Sequence, residues 1–146
     1  MTTTTYGFGT TVRVPYAEAL VRVKDALKAE GFGVLTKIDM RRTMREKLDV
    51  EIEPYLILGA CNPSLAHRAL MQEPEVGLLL PCNVVVRAEG ENSRVDITDP
   101  QTLLGLVGNE NLTPLATDAK ERLLRVLTAL EDQREQVKSD FERKER

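Results

Sequence analysis

Hydrophobic residues along the chain switch between two periods, and the switches predict its elements. From Tyr6 to Val14, Phe8, Thr10, Val12 and Val14 alternate with their neighbours, which predicts a strand. Pro15 fits the first position of a helix, where a missing N–H costs nothing. Tyr16, Leu20, Val23 and Leu27 follow at steps of four, three and four, one face of that helix. Gly31 stands where a helix-ending glycine belongs, and Phe32 to Ile38 reads as the second strand. The charged run Asp39–Val50 carries Met40, Met44 and Leu48 every four residues, so a short amphipathic helix is expected with that stripe as its packing face. Arg41, Arg42 and Arg45 then form a solvated face or a small anion-binding cluster. Glu51 to Ala60, with Ile52, Tyr55 and Ile57, reads as the third strand and runs into Cys61.

Prolines organise the second half. Asn62 caps and Pro63 opens a helix that buries Leu65, Ala66, Ala69 and Leu70 and ends at Pro74. Val76 to Ala88 reads as one long strand containing Pro81. Proline removes a ladder donor, so Pro81 is expected at an edge or a bulge. Gly90 to Ser93 turns into a last strand holding Val95 and Ile97. Asp99 and Pro100 cap and open a short helix closed by Gly108. Thr113 and Pro114 repeat the signature for a final helix striped by Ala116, Ala119, Leu123, Val126, Leu127 and Leu130. The order β-α-β-(α)-β-α-β-β-α-α predicts an α+β fold, a sheet covered by helices on one face. Residues 1–130 are expected to form a single domain. Residues 131–146 are a charged extension, helical or disordered, in which Val137 and Phe141 prolong the apolar stripe and offer a face to a partner helix.

Composition narrows the function classes. The 146 residues are 42% hydrophobic and 29% charged, enough to bury a core without staples. A net charge of -3 leaves no basic excess to neutralise phosphates, so no nucleic-acid partner is expected. No apolar run approaches the roughly 20 residues that span a bilayer, so no membrane association is expected. The threonine run at the N-terminus does not resemble a leader, and two cysteines do not make a disulfide framework. The expectation is a cytoplasmic protein with reduced thiols.

Familiar catalytic sets are missing from the sequence. His67 is the one histidine, which leaves no relay and no histidine-rich metal site. GFGTT at 7–11 lies in a predicted strand and makes a poor phosphate loop. What stands out is a pair of cysteines beside prolines, in GACNP at 59–63 and LLPCN at 79–83. Cys61 ends a strand just before a helix start, where backbone amides lower a thiol pKa. Gly59 and Ala60 leave room for close approach of a ligand or another backbone. Cys82 falls at the expected bulge, and bulges often border functional sites. The simpler alternatives are a small buried side chain for each cysteine, a helix cap for Asn62 and a surface position for His67.

Pro54-Tyr55, GACNP, Leu70, LLPCN and Asp99-Pro100 together resemble the domain-of-unknown-function 302 family. The opening strand, Gly31-Phe32 and Lys47-Leu48 also match its pattern. The resemblance covers residues 6–130 and leaves the charged tail outside. It implies a β-α-β(4)-α arrangement of the TATA-box-binding-protein-like class, with an antiparallel sheet and helices on one face, and it makes a homodimer the expected state. It implies no activity, and the fold label does not carry DNA binding with it.

Three functional readings follow, and whether the protein is an enzyme stays open among them. The first is a small-ligand-binding homodimeric domain with its site at Gly59, Cys61, Asn62, Pro63, Pro81, Cys82 and Asn83; no cofactor is assigned to it. The second is a thiol site with Cys61 as nucleophile or redox group and Cys82 as its resolving partner, which needs Cα atoms within about 7 Å. The third is soft-metal or haem binding through Cys61, Cys82 and His67.

Overall fold

The computed structural model describes the backbone of residues 1–144 and the side chains of residues 1–131. Six strands form one antiparallel sheet: β1 (Thr2–Thr3), β2 (Gly7–Val12), β3 (Gly33–Asp39), β4 (Tyr55–Cys61), β5 (Cys82–Glu89) and β6 (Asn92–Thr98). Their order across the sheet is β1-β2-β6-β5-β4-β3. Five helices accompany them: α1 (Tyr16–Ala29), α2 (Met40–Leu48), α3 (Pro63–Gln72), α4 (Pro100–Gly105) and α5 (Thr113–Lys144).

The period-two alternation of the strands puts Phe8 and Val12, Leu56, Leu58 and Ala60, Val84 and Val86, and Val95 and Ile97 on one face of the sheet. There they meet Val23 and Leu27 of α1 and Leu123, Val126, Leu127 and Leu130 of α5 in the main core. Each Val, Leu, Ile or Phe among them stabilises the fold by about 1.5–3 kcal/mol when fully buried. A second core joins Leu65 and Ala69 of α3, Leu104 of α4 and the start of α5 around Leu115 and Ala116. The α+β architecture with helices on one face is therefore as expected.

Local chemistry bounds several helices where the sequence predicts, although α4 stops at Gly105 and not at the expected Gly108. Asn62 Oδ1 accepts from the Leu65 N–H at 3.2 Å and caps α3. Asp99 Oδ1 accepts from Gln101 N–H at 2.9 Å and from Thr102 N–H at 3.4 Å, while Lys120 Nζ donates to Asp99 Oδ2 at 2.9 Å. Gly31 takes φ +83°, the left-handed conformation that a helix-ending glycine supplies. Pro15 stands one place earlier than expected, at the N-cap of α1.

Four expectations need correction. Residues 76–88 are not one strand: Pro74–Leu79 forms a 3-10 turn, and β5 begins only at Cys82. The bracketing prolines each lack an N–H for a ladder, and Val76 is drawn into the second core. Pro81 therefore lies before a central strand, at neither an edge nor a bulge; its bond to Leu80 is cis. The register irregularity of the sheet falls between Val34 and Thr36 instead. The third strand starts at Tyr55, not Glu51, and Thr2–Thr3 adds an edge strand the sequence did not announce. The Met40, Met44 and Leu48 stripe packs only in part: Met40 and Met44 are half-buried, Leu48 is exposed, and no residue of α2 is fully buried. Its arginines are neutralised locally, Arg42 by Glu46 and Arg41 and Arg45 by Glu51, which is the solvated-face alternative. The expectation for Val137 and Phe141 lies outside the described side chains. Among the described residues no helix is long and apolar enough to cross a membrane.

Candidate functional site

The β4–β5 register brings the two cysteine segments side by side. Ala60 pairs with Cys82 and Gly59 with Asn83. At this end of the sheet Cys61, Asn62, Pro81 and Cys82 wall a cavity of about 50 Å³. Leu65 and Ala66 of α3, Leu103 and Leu104 of α4, and Ala119 of α5 close it from the helical side, and Leu79 and Leu80 close it from the 3-10 turn. The cavity sits at the seam of the two cores: Phe32 and Ala60 belong to the main one, and Leu65, Leu104 and Ala119 to the second. Its walls are almost wholly apolar.

The expected site residues divide between this cavity and other places. Cys61, Asn62, Pro81 and Cys82 line it. Pro63 opens α3 and is exposed. A Cβ on Gly59 would stand 2.7 Å from Pro81 Cγ and also overlap Thr36, so the glycine makes room for the proline ring. Asn83 lies across the sheet, in a depression of about 340 Å³ shared with Tyr6, Tyr55, Val85, Arg94 and Asp96. His67 is exposed on α3 beside Arg68 and Met71, apart from both cysteines. Among the described residues no three His, Cys, Asp or Glu side chains gather as metal ligands.

Asn62 has a double structural role. Its Oδ1 caps α3, and its Nδ2 stands 2.9 Å from where a Cβ on Gly31 would be. The buried Asn62 thus fits the C-terminal turn of α1 against the start of α3. Arg122 fastens the same turn by donating to the Glu30 carbonyl at 3.1 Å.

Both cysteines are free thiols. Burial pushes the Cys82 thiol up to about 11, with the neighbouring Cys61 adding to the effect. Burial also raises Cys61. The lowered Cys61 pKa expected from a helix start does not occur. Cys61 precedes the cap residue, the Asn62 oxygen already takes the Leu65 N–H, and apolar walls disfavour a thiolate. The cavity can therefore hold an apolar group against neutral sulfur. Sequence reasoning missed the helical walls from Leu103, Leu104 and Ala119. The Asp99-Pro100 start of α4 was the available signal, but it carries no long-range direction.

A crystal structure of an uncharacterized conserved protein DUF302 from Bacillus stearothermophilus is similar, with a TM-score of 0.78 and 31% identity over 85% of this chain and 97% of that one. No match was found among curated proteins. The family described as a domain of unknown function, DUF302, matches residues 8–130, and the chain belongs to that family.

Proposed function

We propose that the protein binds a small apolar ligand in the cavity between Cys61, Asn62, Pro81 and Cys82, and that the domain works as a homodimer. The observation that carries the reading is the meeting of GACNP and LLPCN at one almost wholly apolar cavity on the seam of two cores. Apolar enclosure with few polar groups is the usual composition of small-molecule sites.

Size limits the ligand. An engineered cavity of about 150 Å³ takes benzene, whereas this one is about 50 Å³. The site therefore suits the apolar end group of a molecule, a short alkyl chain above all, with the remainder in solvent. Neutral thiols at Cys61 and Cys82 favour binding over nucleophilic attack, because the thiolate is the attacking species.

The test is a titration of the protein with short-chain alcohols and thioethers, followed by thermal shift, in the wild type and in Ala66→Leu. Ala66 lines the cavity without being fully buried, so the larger side chain fills the space at little cost to the core. Stabilisation of the wild type that Ala66→Leu abolishes supports the site. Equal stabilisation of both proteins moves the ligand elsewhere.

A further inference from the structure

The threonine run at 2–5 and GFGTT at 7–11 meet on the face of the sheet opposite α1 and α5. Phe8, Thr10 and Val12 are buried on the core side, so Gly7 and Gly9 fall on the open face. A Cβ on Gly9 would overlap Asp96 Oδ1 and crowd Arg94 Nη2, so this glycine lets the Arg94–Asp96 pair lie flat across β2. β1 runs along β2 with Thr2 opposite Gly9. Thr102 Oγ1 donates to the Thr5 carbonyl at 2.6 Å, and Thr4 Oγ1 donates to the Gly7 carbonyl at 3.2 Å. The N-terminal segment is thereby fastened as one wall of the depression that holds Asn83. At about 340 Å³ the depression lies at the small end of the range for ligand sites.

Its polar groups are unspent. Arg94 Nε and Nη2 both donate to Asp96 Oδ1, at 3.2 and 3.0 Å, and Nη2 also meets Thr2 Oγ1. Among the described residues, Asp96 Oδ2, Arg94 Nη1 and the side chains of Tyr6, Tyr55, Asn83 and Thr98 make no hydrogen bond. All six residues line the depression. Their chemistry selects the ligand. A carboxylate only accepts, a guanidinium only donates, and an amide or hydroxyl does both. A free anion would face Asp96, and a cation would face Arg94. A neutral ligand whose hydroxyls both donate and accept satisfies the whole set. Tyr6 and Tyr55 add apolar ring faces with polar tips, which suit the C–H face of a ring that carries hydroxyls at its edge.

We infer that this depression binds a neutral cyclic polyol, a sugar ring, with Asp96, Arg94 and Asn83 holding its hydroxyls. The site is separate from the apolar cavity and does not depend on what fills it.

The experiment is a chemical-shift titration of the full chain with D-glucose, D-ribose and myo-inositol, with sorbitol and sodium phosphate as controls. Asn83 is exposed and makes no side-chain bond, so Asn83→Leu keeps the melting temperature of the wild type. At least one ring compound gives saturable shifts at the amides of Gly7, Asn83, Asp96 and Thr98. Asn83→Leu weakens that binding by about three- to tenfold, the worth of a hydrogen bond. Asp96→Asn weakens it as well, and Ala66→Leu, which fills the apolar cavity, leaves it unchanged. Sorbitol has the hydroxyls without the ring, and it and phosphate give no saturable shifts. The inference is overturned if no ring compound saturates, if sorbitol or phosphate binds as well as the rings, or if Asn83→Leu binds like the wild type.

Discussion

Cys61 and Cys82 wall one cavity from neighbouring strands, yet they are not cross-strand partners. Cys82 pairs with Ala60, and Cys61 stands one residue further along β4. Both thiols are nevertheless free, so the shared cavity wall carries no bridge. Exposure of the folded protein to oxidised glutathione is expected to leave no Cys61–Cys82 disulfide. Peptide mapping checks this, and a stoichiometric intramolecular bridge would contradict it.

The buried thiol also sets a pH window. The Cys82 pKa is raised to about 11 from an ordinary value of 9.0. The folded state therefore holds the proton more tightly than the unfolded state. The associated stability is present below the unfolded pKa and declines as pH rises from about 9 towards 11, by up to about 2–3 kcal/mol. Urea unfolding of the wild type and Cys82→Ala between pH 8 and pH 11 tests this. The wild type should lose the larger amount, and parallel curves would refute the assignment.

Asn62 is expected to act through stability. Replacing it with alanine removes the cap of α3 and costs about 1 kcal/mol. Gly31→Ala imposes a Cβ on a left-handed residue beside the Asn62 amide and costs about 1–2 kcal/mol. The two residues touch, so the double variant should depart from additivity. A double-mutant cycle with no coupling would show that the contact is incidental.

Asp99 is the one buried carboxylate among the described residues, and its two oxygens are spent differently. One caps α4 and the other meets Lys120. Asp99→Ala should lower stability by about 2–4 kcal/mol. Lys120→Met should cost less than Asp99→Ala, because the backbone donors of α4 still satisfy the carboxylate. Denaturant midpoints compared at pH 7 decide the order.

These residues also show where the sequence was readable. The Asn62-Pro63 and Asp99-Pro100 pairs predict helix starts because capping is a local bargain between a side chain and the next few amides. The buried stripe of α5 was visible for a similar reason, its period being that of a helix. Leu78 shows the opposite. Val76, Leu78 and Leu80 alternate like a strand, but Val76 is pulled into the second core while Leu78 is left in water. That choice depends on α3 and α4, which are packed against the turn and not encoded within it. The cavity was half legible. Both cysteine segments stood out, but the sides taken by Gly59 and Asn83 follow from the register of β4 against β5, and strand pairing is a long-range fact. The period-two alternation of Leu56, Leu58 and Ala60 was the signal that could have placed Gly59 on the opposite face.

The central claim, a ligand site at the meeting of the two cysteine segments, is tested most directly by amide chemical-shift mapping during titration with a short-chain alcohol or thioether. Saturable shifts at Cys61, Leu65, Leu80, Cys82 and Leu104, lost in Ala66→Leu, are the predicted result. Shifts confined to the opposite face around Tyr55, Asn83 and Arg94, or no saturable shifts at all, would contradict it.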